Sequence, residues 1–268
     1  MPKVTFVSFG DKIASSRLRA EIPQQELAKQ GIKLGTDVII YGKHLLTQKH
    51  LKPFKRRIFD ICDNHFRHEK LGPYYKEHAA HADLITVNSD EMAKVVMYEV
   101  GRVAMVIPDP YESDEQEPGI GAYPFWFGHE ANLSDLERYL PIPGLQILTG
   151  DQWSREKQLA MLKECSCVII PTGKSMAKSA NRLIESVRNG RFVIAGELPA
   201  HEEFKDLMYI GNNLKNGLEW FKRSNPAEIL KRIGTAQTII RDRYSPGAVS
   251  RLWKEAIDRA WQSPVIAL

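Results

Sequence analysis

Cysteine is scarce in this chain: three among 268 residues, at Cys62, Cys165 and Cys167. An odd number cannot build a framework of paired bridges, and the Cys-x-Cys pair at 165 and 167 is one ligand short of a zinc half-site. A reducing compartment follows as the expectation, and with it a cytoplasmic location. No stretch approaches the roughly 20 apolar residues of a membrane-spanning helix. The opening MPKVTFVSFGDK meets Gly10 and Asp11 too early to form the apolar centre of a signal peptide, so it reads as a first strand. Repeats of about 20 to 50 residues are missing, which excludes solenoids and propellers. Neither sign of charge dominates. With 37 Lys and Arg against 33 Asp and Glu, the net charge is +4 and the pI about 8.8, which suits an anionic ligand or an anionic membrane surface as well as nucleic acid. The interleaved aromatic and basic residues of a nucleic-acid-binding strand are not found, so no nucleic-acid partner is expected.

Hydrophobic residues make up 43% and charged residues 26%, enough apolar material for a substantial core in one long domain or two ordinary ones. Short apolar runs alternate with amphipathic helical patterns, the signature of βαβ units and parallel sheets. The first series is VTFVSF (4–9), VIIY (38–41), RIFDIC (57–62), LITV (84–87) and VAMVI (103–107). A helix runs from about Ser15 to Gln30 and stops at Gly31; another is capped by Ser89 and closed by Gly101. The stretch PDPYESDEQEPGIGAYP (108–124) is acidic, rich in Pro and Gly, and without apolar periodicity, so it reads as a linker. A second series follows: FWF (125–127), LQIL (145–148), CVII (167–170), FVIA (192–195) and LMYI (207–210). Beyond Asn225 the pattern is helical only. The expected class is α/β, two Rossmann-like domains in tandem, with ligands at the carboxyl ends of the strands where a cleft would lie.

The stretch IIPTGKSMAKSANRLIESVRNGRFVIAG (169–196) reads as strand, loop, helix, strand. With Ser179 as N-cap, Ala180, Leu183, Ile184 and Val187 form the buried stripe, and Asn181, Arg182 and Glu185 share the other side. A helix entrance offers unpaired N–H groups and the positive end of the macrodipole, and Lys178 adds a charge beside it; a diphosphate fits there. Glu185 lies more than one turn further in, where its carboxylate accepts from both hydroxyls of a ribose. The alternative is that Ser179 merely caps and Glu185 pairs with Arg182 or Arg188 along the helix surface.

The pieces "IIPT", "KSANRLIESVRNGRFVIAGELPAHEEF" and "RYSPGAVSRLWKEAI" together resemble the donor-binding half of GT-B-fold glycosyltransferases of the large family-four type. "ASSRLRAEIPQQELAKQG" resembles the first helix of the acceptor half, and "ADLITVNSDEMAKVV" with "VIPDPYE" its last strands before the hinge. The resemblance implies a GT-B arrangement with a shortened first domain: an acceptor-side domain at 1–112, a donor domain at 113–245, and a closing helix at 246–268 that packs back on the first. It implies a metal-independent hexosyltransferase-like enzyme that moves a sugar from a nucleotide diphosphate sugar, UDP or GDP, to a hydroxyl of a saccharide or lipid-linked acceptor, in cell-envelope polysaccharide or glycolipid synthesis. No cofactor is implied. Where the family has two glutamates separated by seven residues, Glu185 matches the second and Ala177 stands at the first.

Donor binding is then expected from Gly128, Glu130, Asn132, Thr172, Lys178, Ser179, Asn181, Arg182 and Glu185, with His129 close by. Arg17 and Arg19 open the first helix with planar forks suited to phosphate. Asp63 and His65, with Asp60, end a first-domain strand and supply a base if configuration inverts; a retaining enzyme needs none. Asp-x-Asp, the metal-holding motif of the other common glycosyltransferase fold, is absent from the chain. Trp253 and Trp261 read as core. KPFKRR (52–57) marks an expected peripheral contact with anionic headgroups at the inner face of a membrane. Because of Ala177 and the short first domain, a non-catalytic nucleotide-sugar-binding or scaffold protein is the competing reading.

Overall fold

A computed structural model describes residues 2–8, 10, 13–43, 46–173 and 175–263. Each apolar run becomes a strand: β1 (Val4–Phe6), β2 (Val38–Tyr41), β3 (Arg56–Ile61), β4 (Leu84–Val87), β5 (Met105–Val106), then β6 (Tyr123–Phe127), β7 (Gln146–Leu148), β8 (Cys165–Ile170), β9 (Phe192–Ala195) and β10 (Tyr209–Ile210). The helices are α1 (Ala14–Ser16), α2 (Ile22–Lys29), α3 (Gln48–Leu51), α4 (Gly72–His81), α5 (Asp90–Val100), α6 (Leu133–Glu137), α7 (Arg155–Glu164), α8 (Asn181–Arg188), α9 (Leu214–Arg223), α10 (Pro226–Tyr244) and α11 (Pro246–Gln262). The strands form two five-stranded sheets in which all pairings are parallel. The chain divides into two units. Unit 1 comprises Met1–Glu112, Ala177–Ser179 and Arg243–Leu268; unit 2 comprises Ser113–Met176 and Ala180–Asp242. Phe9, at the end of the first expected strand, lies outside the described residues.

In unit 1 the strand order is sequential, β1-β2-β3-β4-β5. Both faces of the sheet are covered, which is why its strands are apolar at successive positions rather than at alternate ones. Val38, Ile40 and Ile58 face Leu27, Trp253, Ala256, Ile257 and Ala260, whereas Ile39, Tyr41, Phe59 and Ile61 face Tyr75, Ala79, Met92 and Val96. Helix α11 thus completes one layer of unit 1, with Trp253 fully buried edge-on to Phe6 at 5.4 Å between ring centroids. Trp261 departs from the expected core role. It is 38% exposed, and Lys55 lies 5.6 Å over its ring. Helix α5 ends as its sequence dictates: Ser89 caps it by accepting from the Met92 N–H, and Gly101 closes it in the left-handed region at φ 66°.

Unit 2 has the order β10-β9-β8-β6-β7. Chain direction along the sheet reverses between β6 and β8, so this unit alone has a topological switch point, the place where open α/β sheets leave a crevice at the carboxyl ends of their strands. Trp126, Phe125, Val168, Ile169, Leu183 and Val187 are buried around it.

The acidic stretch after β5 is without regular structure, yet it is anchored and not a loose linker. Asp109 is 3% exposed and bonds Arg19; Glu112 takes both donors of the Arg17 fork; Glu115 pairs with Arg188 and Arg241.

Candidate functional site

Helix α8 starts at Asn181 with Ala180 as N-cap and no side-chain capping bond, so the expected Ser179 cap is corrected. The loop is one residue longer than the sequence pattern implies. The buried stripe is as the spacing requires, with Ala180, Leu183, Ile184 and Val187 all buried. Glu185, Ser186 and Arg188 are buried as well, so the second turn of α8 is enclosed on every side. An uncapped helix start of this kind leaves backbone N–H groups open to an acceptor.

Arg182, on the first turn, reaches across the switch point. Its guanidinium approaches the carbonyl of Phe127 at 3.5 Å, at the end of β6, and stands where a Cβ on Gly128 would come within 3.4 Å of it. The missing side chain at Gly128 therefore leaves room for Arg182 and Trp126. Gly173, after β8, is equally constrained: a Cβ there would meet the Asp135 carboxylate at 2.4 Å. Among the described residues Arg182 forms no ion pair, and burial drives it from the ordinary arginine value down to about 10, with Asp135 acting in the opposite direction. A half-buried cation whose charge Asp135 only partly offsets is a ready partner for an anion. Thr172 follows β8: Arg138 donates to the Thr172 carbonyl, and the Thr172 hydroxyl packs against Gly196 at the end of β9. His201 is 1% exposed and donates from Nδ1 to the Gly196 carbonyl, assigning the proton to that nitrogen; burial holds it neutral, its pKa lowered to about 4.

Glu185 pairs with neither Arg182 nor Arg188. One partner is Arg155, at the start of α7, with Nη2 to Oε1 at 2.8 Å. Arg155 was not legible as a site residue, because it sits in a polar helix start, 30 positions away from Glu185. Gly128 and Arg182 thus meet at the switch point of unit 2, while Thr172 follows β8 and Asn181 and Glu185 share α8 with Arg182. Glu130 and Asn132 form a 3-10 turn after β6, opened by His129, whose Nδ1 accepts from the Ala131 N–H. The Glu130 carboxylate lies against Gly150, after β7. Lys178 and Ser179 are grouped with unit 1, as is Ala177, which is 7% exposed inside the apolar cluster of Tyr75, Val87 and Met92.

On unit 1 the SSRLR motif turns inward. Residues Arg17–Glu21 form a π-turn between α1 and α2, which brings Leu18, Arg19 and Ala20 all to buried positions. Arg19 is bidentate to Asp60 at 2.6 and 3.0 Å and also meets Asp109 and the Ile107 carbonyl. Burial disfavours its charge, but the two carboxylates outweigh this and its pKa is raised. The expectation that Arg19 reaches a phosphate is corrected: its donors are spent inside the chain. Asp60, also bonded by Thr86, is likewise no free base. Arg17 is held by both oxygens of Glu112. Asp63 pairs with Lys43, and its carbonyl accepts from the His65 N–H. His65 packs against Tyr75, and burial lowers its pKa. In KPFKRR, Lys55 pairs with Asp37 and Arg56 with Asp83.

The described residues include no group of three or more His, Cys, Asp or Glu placed to hold a metal. Among them, too, no helix is long and apolar enough to cross a membrane.

The fold is that of the GT-B glycosyltransferases. The chain superposes on an E. coli structure described as "Trehalose-6-phosphate from E. coli bound with UDP-2-fluoro glucose", with TM-score 0.60, 10% identity, and 96% of this chain and 80% of that one covered. It superposes on a UDP-forming α,α-trehalose-phosphate synthase from Burkholderia vietnamiensis with TM-score 0.57 at 10% identity, covering 96% and 81%. A variant of S. aureus TarM in complex with fondaparinux, alpha-GlcNAc-glycerol and UDP gives TM-score 0.56 at 11% identity; this chain is covered over 84% and spans 55% of that one. No protein-family model matches the sequence, and no curated protein matches it.

Proposed function

We propose that the protein is a glycosyltransferase that takes a nucleotide diphosphate sugar at the switch point of unit 2 and passes the sugar to an acceptor hydroxyl. The observation that carries this reading is Arg182, a half-buried guanidinium with no ion pair among the described residues, beside the start of α8, which has no side-chain cap. The diphosphate lies against Arg182 and the first N–H groups of α8, with Asn181 and the Thr172 hydroxyl beside it, and the ribose hydroxyls donate to Glu185. UDP bound to the structural neighbours supports a nucleoside diphosphate as leaving group.

In the reaction the acceptor oxygen attacks the anomeric carbon. The bond from that carbon to the phosphate oxygen breaks, and its electron pair stays on the diphosphate. The protein's main task is to stabilise that growing negative charge, and Arg182 with the helix N–H groups does so without a rearrangement. An inverting reaction passes the acceptor proton to a general base, whereas a retaining one needs none. A saccharide or lipid-linked acceptor fits the neighbours bound to saccharides.

The test is thermal stability in the presence of UDP, GDP and their sugars, for the native chain and for Glu185→Ala. Binding raises the Tm of the native protein with one base and not the other; a Glu185→Ala protein with the same shift rejects the site. A non-catalytic nucleotide-sugar-binding protein is the second reading, favoured by one observation: Ala177, which stands where the resembling family has its first glutamate, is buried in an apolar cluster. Release of nucleoside diphosphate from the bound donor separates the two.

A further inference from the structure

Glu185 is 7% exposed, on the enclosed turn of α8, and the proposed function asks it to present its carboxylate to a ribose. A carboxylate this deep is tolerated only when it is paired, and its rotamer has to be held for a diol to find it. The cation that meets it comes from another element, 2.8 Å away, on the first turn of α7. That placement runs against the helix, because a positive side chain at a helix start is repelled by the macrodipole. Local bonding nonetheless fixes the start of α7. The Ser154 hydroxyl accepts from the Lys157 N–H at 3.1 Å, and Trp153 donates its indole N–H to the buried Gln158 at 2.8 Å. Both partners are removed from solvent, with 23% of the Arg155 side chain and 10% of the Glu185 side chain exposed.

We propose that Arg155 is a positioning residue for nucleotide recognition: its guanidinium holds the Glu185 carboxylate in the orientation that the ribose hydroxyls require. This rests on the ribose-binding reading of Glu185. Arg155 makes α7 part of the nucleotide site without touching the phosphates, and it belongs to no motif that the sequence displays. A planar fork fixes a carboxylate in two dimensions, which a lysine ammonium does not.

The experiment is a double-mutant cycle of Arg155→Met, Glu185→Gln and the double variant, with Arg155→Lys as a fourth protein. Each is titrated calorimetrically with UDP, GDP and their 2′,3′-dideoxy analogues. The native protein is expected to prefer the ribose form of the nucleotide it binds. Arg155→Met should lose about tenfold or more in affinity for that form and little for the dideoxy form, and the double variant should be no weaker than Glu185→Gln alone. Arg155→Lys should fall between the native protein and Arg155→Met. Equal losses for both forms, or losses that add to those of Glu185→Gln, overturn the proposal and leave Arg155 a structural residue. If Glu185→Gln abolishes the ribose preference while Arg155→Met keeps it, the positioning role alone falls. If the native protein shows no ribose preference, the reading of Glu185 falls and takes this inference with it. Should Arg155→Met fail to fold, Arg155→Lys carries the cycle, and an unchanged ribose preference in it is the overturning result.

Discussion

Removing the charge of Arg182 should strengthen the fold and weaken the site. The guanidinium is driven down to about 10 by desolvation that Asp135 only partly offsets. At about 1.4 kcal/mol for each tenfold change in ionisation constant, the cost behind that lowering is about 3 kcal/mol. Solvent still reaches part of the side chain, and screening reduces the figure to about 1–2 kcal/mol. Arg182→Met keeps the apolar stem and removes the cost, so the Tm of the ligand-free protein should rise by about 3–6 °C. Arginine stays charged through the neutral range in the folded and unfolded chain alike, so the gain is the same from pH 6 to 8. With nucleoside diphosphate the direction reverses. Charge-assisted hydrogen bonds are worth about 1.5–3 kcal/mol, so affinity should fall about ten- to a hundredfold. Differential scanning calorimetry with and without UDP or GDP reads both effects. A variant that melts lower than the native chain, or binds the nucleotide as tightly, refutes the reasoning.

Three further outcomes follow from the same geometry. Arg19→Met strands Asp60 and Asp109 in the interior of unit 1 and should cost about 3–5 kcal/mol in urea denaturation; a loss below 1 kcal/mol contradicts the network. Ala177→Glu restores the family's pattern at a buried position, and protonating a glutamate to fit there costs about 4 kcal/mol at pH 7. The variant should therefore melt far below the native chain at pH 8 and recover toward pH 5, and equal deficits at both pH values tell against burial. His201 has a pKa of about 4 when folded and an ordinary one when unfolded. The unfolded chain thus binds more protons between about pH 4 and 6.5, and stability drops as pH falls through that window. His201→Gln should flatten that part of the pH–stability curve, and an unaltered slope rejects the assignment.

All ten strands were legible, because a parallel sheet covered on both faces needs unbroken apolar runs, and runs such as VIIY and CVII carry no competing helical period. Their order was not. Sequential pairing in unit 1 and the reversal between β6 and β8 depend on where crossovers pass, which periodicity does not encode. The α8 stripe was legible from Leu183, Ile184 and Val187, but its start was misplaced, since Ser179 is the residue with capping chemistry and Ala180 has none. Arg17 and Arg19 looked available because their partners, Glu112 and Asp109, lie in an acidic stretch that reads as linker, about 90 positions away. Charge partners that distant leave no local signal. Arg155 was missed for the same reason.

On the proposed function, unit 2 binds an activated sugar and the chain releases the nucleotide from it. The most direct measurement is the rate of UDP or GDP release from a panel of their sugars, with the native protein beside Glu185→Gln and Arg182→Met. The account predicts release from donors of one base, lowered at least tenfold in both variants. Release that is equal in all three proteins, or no binding and no release with any donor, contradicts it.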